Sequence, residues 1–503
     1  MRKNKLLINS FIGFFSQLII LALGFVVPKI IINNYGSDTN GVTNTITQVF
    51  SYIALLESGI GTASQNALYP CYKNNDKDGI SLIMSISKKY YRRISLYYAI
   101  IVIVMSLFIP ILLKTDVDYI TIFFYIFFEG LTSLVGFYFT SVWRVFLDSS
   151  GKTYFTNIMN LLTKILQYGI KICLALIGLN IMFIQVGYFL VSLITLLIYY
   201  LYMKKKYSWI NYDVNTNGIK LENKNSYLMA EISATVFSST DMIVLSIFVS
   251  TALSSVYSIY NLVFSAISGL ITSIYQSTKY KLGQTYSADV EIYKQTHNIF
   301  ISFILGLSIL IMSVCLWLTI PFVKLYTSDV KDINYIYKLL PLLFSIVNIF
   351  TLYRLIPNYI AGIAGYAKKI GYFSLAEAIS NIILSIIFVQ FWGIYGTILA
   401  TIITLPFKVV YLFFLTEKTI LKRSSLRMGI IVLSNLLIFA LTVIFVQFYQ
   451  FEIDSYLKFI FMGITLTFSY ALIVFTINVI ANNDLRKYIK LIINKRKNKM
   501  EEM

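Results

Sequence analysis

Residues 155–178 read FTNIMNLLTKILQYGIKICLALIG. As one helix this stretch is long enough to cross the hydrocarbon core of a bilayer, which takes roughly 20 apolar residues. Its only charges are two lysines. Stretches of the same kind recur almost from end to end of the 503-residue chain, and the composition agrees with them: 57% hydrophobic, 13% charged, mean hydropathy +0.73. A surface made from such residues cannot face water, so the solvent of this fold is lipid.

Working outward by hydropathy, crossings fall near 8–32, 42–70, 94–114, 118–144, 155–178, 180–203, 227–250, 254–278, 297–320, 336–363, 370–390, 392–416, 428–449 and 457–481. The expected fold is an all-α integral membrane protein with about fourteen transmembrane helices. The first apolar run is longer than a signal-peptide core and has no small-residue cleavage site, so it reads as a retained span. Cys71, Cys173 and Cys315 are scattered and form no C-x-x-C pair, which suggests neither a disulfide framework nor a metal cluster.

Alternate loops carry the cations, as the positive-inside rule requires of a correct count. One side holds Arg2, Lys3, Lys5, then Lys73, Lys77, Lys88, Lys89, Arg92 and Arg93, then Lys152, then Lys204 to Lys206. It continues with Lys279, Lys281, Lys368, Lys369, Lys418, Lys422, Arg423, Arg427 and the tail from Arg486 to Lys499. The opposite loops, around Ser37, Asp116, Ser250, Asp329 and Asp454, are poor in cations, so both termini are expected in the cytoplasm. Basic flanks that hold topology and meet anionic headgroups account for the net charge of +19 without nucleic acid. Asp76 to Arg93 reads as an amphipathic helix lying along that surface, and Trp143, Trp317 and Trp392 fall near span ends, where aromatic belts form.

Span starts near Asn9 and Tyr227 and near Val42 and Val256, and span ends at Lys204 and Lys418, repeat at an offset of about 215 residues. That spacing fits two pseudo-symmetric six-helix bundles, 1–203 and 227–418, joined by a polar cytoplasmic linker at 204–226 that reads as a hinge. Residues 419–503 add two further helices and a basic tail. A V-shaped cavity between the halves is expected.

Each charge at a helix centre costs about 2.5–3.5 kcal/mol on the insertion scale and needs a reason. Lys164 and Lys171 lie seven residues apart, on one face of a helix. Arg354 sits between Pro341 and Pro357, and Lys408 just after Pro406. If the four converge they line a cationic cavity suited to a phosphate or pyrophosphate headgroup. The competing reading is that each snorkels to a headgroup along its own stem. The acids Glu57, Glu129, Glu231, Asp241 and Glu377 are candidates to couple an ion or to pair with these cations. His297, the only histidine, reads as a solvated residue at a span start.

Short external loops leave no room for an external catalytic domain, and no nucleophilic triad, phosphate loop or metal-ligand spacing appears. The chain therefore reads as a transporter rather than an enzyme, with no cofactor and no metal.

Three motifs carry a family resemblance. Glu57-Ser58-Gly59-Ile60-Gly61-Thr62-Ala63 resembles the acidic-x-Gly-x-Gly-x-Ala signature of polysaccharide repeat-unit flippases in the multidrug/oligosaccharidyl-lipid/polysaccharide exporter superfamily. Ser239-Thr240-Asp241 with Tyr257 to Asn261 is similar to that family's mid-chain motif, and Gly393-Ile394-Tyr395-Gly396-Thr397 to the pattern opening its twelfth helix. The signature's acid is more often Asp, and Val256 stands where a glycine is usual.

The resemblance implies a cargo, an undecaprenyl-pyrophosphate-linked oligosaccharide, moved by alternating access from the cytoplasmic to the outer leaflet of a bacterial cell membrane. It also implies partner enzymes, a polysaccharide polymerase among them, that build lipopolysaccharide, capsule or exopolysaccharide. Gly59 and Gly61 would let helices approach closely, in a rocking or an ordinary interface. A lipid II flippase, a multidrug exporter of the same superfamily and a membrane-embedded polymerase remain alternatives. Buried lysines argue against the multidrug exporter, whose pocket should be acidic.

Overall fold

The structure, a computed structural model, describes residues 2–57, 60–216, 235–236, 239–449 and 451–501, and every regular element among them is helical. The chain divides into two compact units, Met1–Val256 and Tyr257–Met503.

In the first unit, α1 (Arg2–Ile53) bends at Gly36, whose φ of 84° suits a residue without Cβ. There follow α2 (Ile60–Lys73), α3 (Lys77–Leu112), α4 (Tyr119–Ser149), α5 (Thr153–Ile177), α6 (Met182–Lys206) and the short apolar α7 (Ser239–Phe248). A π turn at Gly136–Thr140 interrupts α4. Helix α8 (Thr251–Ala288) begins in this unit and runs into the second.

The second unit holds α9 (Val290–Tyr326), α10 (Leu340–Tyr353), α11 (Leu355–Ala361), α12 (Ala367–Trp392), α13 (Ile394–Phe414), α14 (Leu426–Phe448), α15 (Tyr456–Ala481) and α16 (Asn483–Glu501). Pro357 cannot donate to the carbonyl of Tyr353, so the chain breaks at Arg354 between α10 and α11.

Eleven helical stretches among the described residues are long and apolar enough to cross a membrane. Two of them reach into two expected crossings each: Ile19–Ile53, which contains the Gly36 bend, and Leu340–Trp392, which contains the Arg354 break. The α7 segment covers the described part of another, so the fold agrees with about fourteen crossings. The short connections at Gly178 to Asn180 and at Gly393 separate distinct helices.

Two expectations are corrected. Asp76 to Arg93 is not a separate surface helix. It opens the uninterrupted 36-residue α3, with Ile80, Met84 and Ile86 buried in the bundle, because after Gly79 in the first turn no Gly or Pro occurs before Pro110. His297 is not solvated but buried, with Nδ1 3.3 Å from Arg423 Nη2. Arg423 donates to both oxygens of buried Glu417, at 2.7 and 3.0 Å, and to Asn298 Oδ1 at 2.8 Å. Asn298 in turn donates to Asp484 at the start of α16, so this network ties the C-terminal helices to α9.

The first unit packs two apolar clusters, one around Ile31, Ile46, Tyr98 and Ile126, the other around Leu68, Met84, Phe146 and Tyr199. Close helix approach is visible where a methyl on Gly41 would come within 1.7 Å of the Thr251 carbonyl oxygen. Beside it Asn40 donates to Ser255 Oγ at 2.7 Å, and Thr45 and Ser246 share a 2.6 Å bond. Past α6 the chain is strapped to α3: Ser85 donates to the Asn211 carbonyl, and Lys88 pairs with Asp213 at 2.9 Å. Residues 217–226, the rest of the expected hinge, lie outside the described residues.

In the second unit α9 is the pillar, with 61% of its apolar window buried against 6% for α15. Most of α15 is left to lipid. It is held to α14 by reciprocal amide bonds between Asn435 and Asn478, at 2.9 and 3.0 Å. Interhelical bonds of this kind contribute about 0.6 kcal/mol on average, up to about 1.7. Asn435→Leu is therefore expected to lower stability by about 1 kcal/mol, read as a modest fall in the thermal midpoint of the detergent-solubilised protein.

Candidate functional site

The first unit holds a polar cavity of about 510 Å³ inside the bundle. Glu57, at the end of the turn Ala54–Leu56, reaches it beside the Tyr91 hydroxyl of α3. Gly61 on α2 lies against the same hydroxyl, where an added methyl would come to 3.4 Å. From α4 come Arg144 and Asp148, carried on the last turns beyond the π turn. Helix α5 supplies Asn160, Thr163, Lys164 and Gln167, and α6 supplies Ser192 and Thr195. Both apolar clusters wall it, through Phe137 on one side and Tyr91 and Val145 on the other.

Its polar groups face inward with few protein partners. Arg144 lies over the Tyr199 ring at 5.9 Å and Lys164 over Tyr168 at 6.0 Å, and neither has a carboxylate within salt-bridge distance among the described residues. Asp148 accepts from Thr156 at 2.7 Å, and Thr163 and Thr195 bond across α5 and α6 at 2.9 Å. The amides of Gln65, Asn160 and Gln167 line the wall and take part in no hydrogen bond among the described residues. Two cations without a salt bridge among the described residues, two acids and three open amides in a cavity this size offer groups for a hydrated, hydroxyl-rich ligand that carries a phosphate.

The expected site residues divide between the units. Lys164 lines the cavity. Lys171, two turns further along α5, does not; it faces Glu129 of α4, which also interacts with Lys164 and Gln185. In the second unit Arg354 and Lys408 share one carboxylate: Arg354 Nη1 lies 2.9 Å from Glu377 Oε1, and Lys408 Nζ lies 3.6 Å from Glu377 Oε2. Lys408 also donates to Ser374 Oγ at 2.7 Å. All three side chains are largely buried, Glu377 at 6% exposure. Asp241 is buried on α7 near Tyr52, whose hydroxyl meets Thr240 at 2.5 Å, away from the cavity. Gly59 and Glu231 lie outside the described residues.

Sequence reasoning missed Arg144 and Asp148. The expected span 118–144 ends on Arg144 and stops short of Asp148, whereas α4 continues to Ser149. The signal available was the helix-compatible run after Trp143, with no Gly or Pro before Gly151.

The fold, all-helical and of two units, is shared with solved flippase and exporter structures. Solved structures similar to it include the lipid II flippase MurJ in an inward closed conformation, with a TM-score of 0.66, 17% identity, and 93% of this chain and 99% of that one covered. An inward-facing multidrug resistance MATE transporter of the MOP superfamily aligns with a TM-score of 0.61 and 15% identity over 80% of this chain and 97% of that one. The Vibrio cholerae MATE transporter VcmN aligns with a TM-score of 0.56 and 15% identity over 84% and 98%. No protein-family profile and no curated protein matches the sequence.

Proposed function

We propose that this protein is a flippase that carries a pyrophosphate-linked oligosaccharide, borne on an undecaprenyl-type lipid, from the cytoplasmic to the outer leaflet of a bacterial cytoplasmic membrane by alternating access. The observation that carries this reading is that Arg144 and Lys164 both line a polar cavity and make no salt bridge among the described residues. Arg grips a phosphate bidentately and Lys acts as a point charge beside it. The open amides of Asn160 and Gln167 suit sugar hydroxyls. A multidrug exporter selecting organic cations is disfavoured by two cations lining the cavity. Both termini lie in the cytoplasm on this reading, and a polymerase consumes the delivered units outside.

A peptidoglycan precursor is the second reading of the same chemistry. It is motivated by the similarity to the lipid II flippase MurJ over 93% of the chain. One experiment addresses both readings. The protein is depleted in its native cell, and spheroplasts are treated with a membrane-impermeant sugar-modifying reagent. Lipid-linked oligosaccharide that accumulates but stays shielded is the expected result, and its sugar content separates repeat unit from peptidoglycan precursor. Oligosaccharide that reaches the outside yet stays unpolymerised would point instead to a polymerase.

A further inference from the structure

Helix α15 ends at Ala481 and α16 begins at Asn483, so a single residue, Asn482, makes the corner between them. Its backbone is extended, with φ −116° and ψ 100°, and its side chain is buried. The Asn482 carboxamide bonds in two directions. Its oxygen accepts from the backbone N–H groups of Asp484 and Leu485, at 3.0 and 3.2 Å, and so caps the first turn of α16. Its nitrogen donates to the Asn298 carbonyl and to Ser302 Oγ of α9, at 3.0 and 2.7 Å. Asn298 donates back to Asp484 Oδ2 at 2.6 Å. Arg486 donates to the carbonyls of Val479 and Ile480, at 3.2 and 2.8 Å, and closes the end of α15. The first turn of α16 is therefore fixed to α9.

The helix that leaves this corner is basic and amphipathic. Between 486 and 499 the sequence has seven cations and no acid. Tyr488 and Leu491, three residues apart on one face, are 48% and 59% exposed, and the exposed Lys487 and Lys490 run along the edge of that face. We infer that α16 lies on the membrane surface and binds the anionic headgroups of the leaflet into which α15 ends. Three observations choose this partner. Only 6% of the apolar window of α15 is buried, so α16 starts one residue beyond the end of a lipid-facing helix. The cations complement anionic headgroups, and apolar side chains beside them enter the boundary between headgroups and acyl chains. The bonds of Asn482 and Asp484 hold the start of α16 against α9 instead of letting it continue the axis of α15 into solvent. Such binding is independent of what the cavity of the first unit carries.

The test uses the full-length protein in nanodiscs of phosphatidylcholine that contain a trace of one photoreactive lipid, either phosphatidylglycerol or phosphatidylcholine, with the reactive group beside the glycerol backbone. Labelling of α15, which faces lipid in either case, is the internal reference. Label within 485–494 is expected, and stronger from phosphatidylglycerol. Each cation near an anionic surface strengthens attachment about fivefold. Lys487→Gln with Lys490→Gln, both at exposed positions, should therefore lower phosphatidylglycerol labelling of 485–494 by about tenfold or more and leave α15 unchanged. Tyr488→Ser with Leu491→Ser should lower labelling by both lipids. Equal labelling of 485–494 by the two lipids, or phosphatidylglycerol labelling indifferent to the loss of both lysines, would overturn the inference. Absence of lipid label from 485–494 while α15 is labelled would overturn it too, and would leave α16 to a protein partner.

Discussion

Replacing Arg144 and Lys164 together by glutamine is expected to cut transport of the lipid-linked cargo by more than about a hundredfold without loss of membrane insertion. Hydrogen bonds to charged groups contribute about 1.5–3 kcal/mol each. Two such losses, at 1.4 kcal/mol per factor of ten, exceed two orders of magnitude in affinity. Neither side chain makes a salt bridge among the described residues, and Glu129, which interacts with Lys164, keeps Lys171 as a partner in the variant. The measurement is export by cells complemented with the double variant, alongside its abundance in the membrane fraction. Normal export would remove the cavity from the mechanism. Export restored by Arg144→Lys but not by Arg144→Gln would show that charge, not shape, is required there.

The largest effect on stability is expected at Glu377. Glu377→Leu would take from Arg354 and Lys408, both largely buried, the carboxylate that they share. Breaking a buried pair by removing one partner costs about 3–5 kcal/mol, so the variant should unfold at a clearly lower temperature in detergent. Replacing all three by apolar residues of similar size should recover most of that loss, because the desolvation cost of the ions disappears with them. Transport by a stable triple variant would mark the triad as structural; its loss would return Arg354 and Lys408 to the list of cargo contacts.

Those two cations show where sequence reading ends. Their depth in the membrane was legible, since charges within apolar runs stand out, but the choice between lining a cavity and pairing with an acid is made by tertiary contact. Glu377 lies 23 residues from Arg354 and 31 from Lys408, and no spacing rule joins them. The two lysines of α5 make the same point. Their seven-residue spacing does put them on one face, yet at about 1.5 Å per residue they stand two turns apart along the axis. Both interact with Glu129, and Lys164 alone also lines the cavity. Arg144 was hidden for a different reason. The π turn at Gly136–Thr140 adds a residue to the helical repeat and rotates everything after it, so a face projected from the start of α4 misplaces its end.

The plan of crossings was far more legible. Apolar runs of span length are dictated by bilayer thickness and need no tertiary information. The short junctions at Gly178 and Gly393, ambiguous by hydropathy, resolve as breaks between separate helices. The same logic misread Asp76 to Arg93, because a basic amphipathic segment is indistinguishable from the protruding end of a long transmembrane helix until its apolar face is seen packed against its neighbours.

The most direct measurement is reconstitution. Purified protein in liposomes carries a fluorescent polyprenyl-pyrophosphate disaccharide in both leaflets, and an impermeant quencher reports on its movement. Transfer between leaflets by the wild-type protein, greatly slowed by Arg144→Gln with Lys164→Gln and not competed by an organic cation, is the expected result. Transfer that is indifferent to both substitutions, or that is abolished by a lipophilic cation at equal concentration, would contradict a cavity built for an anionic lipid headgroup.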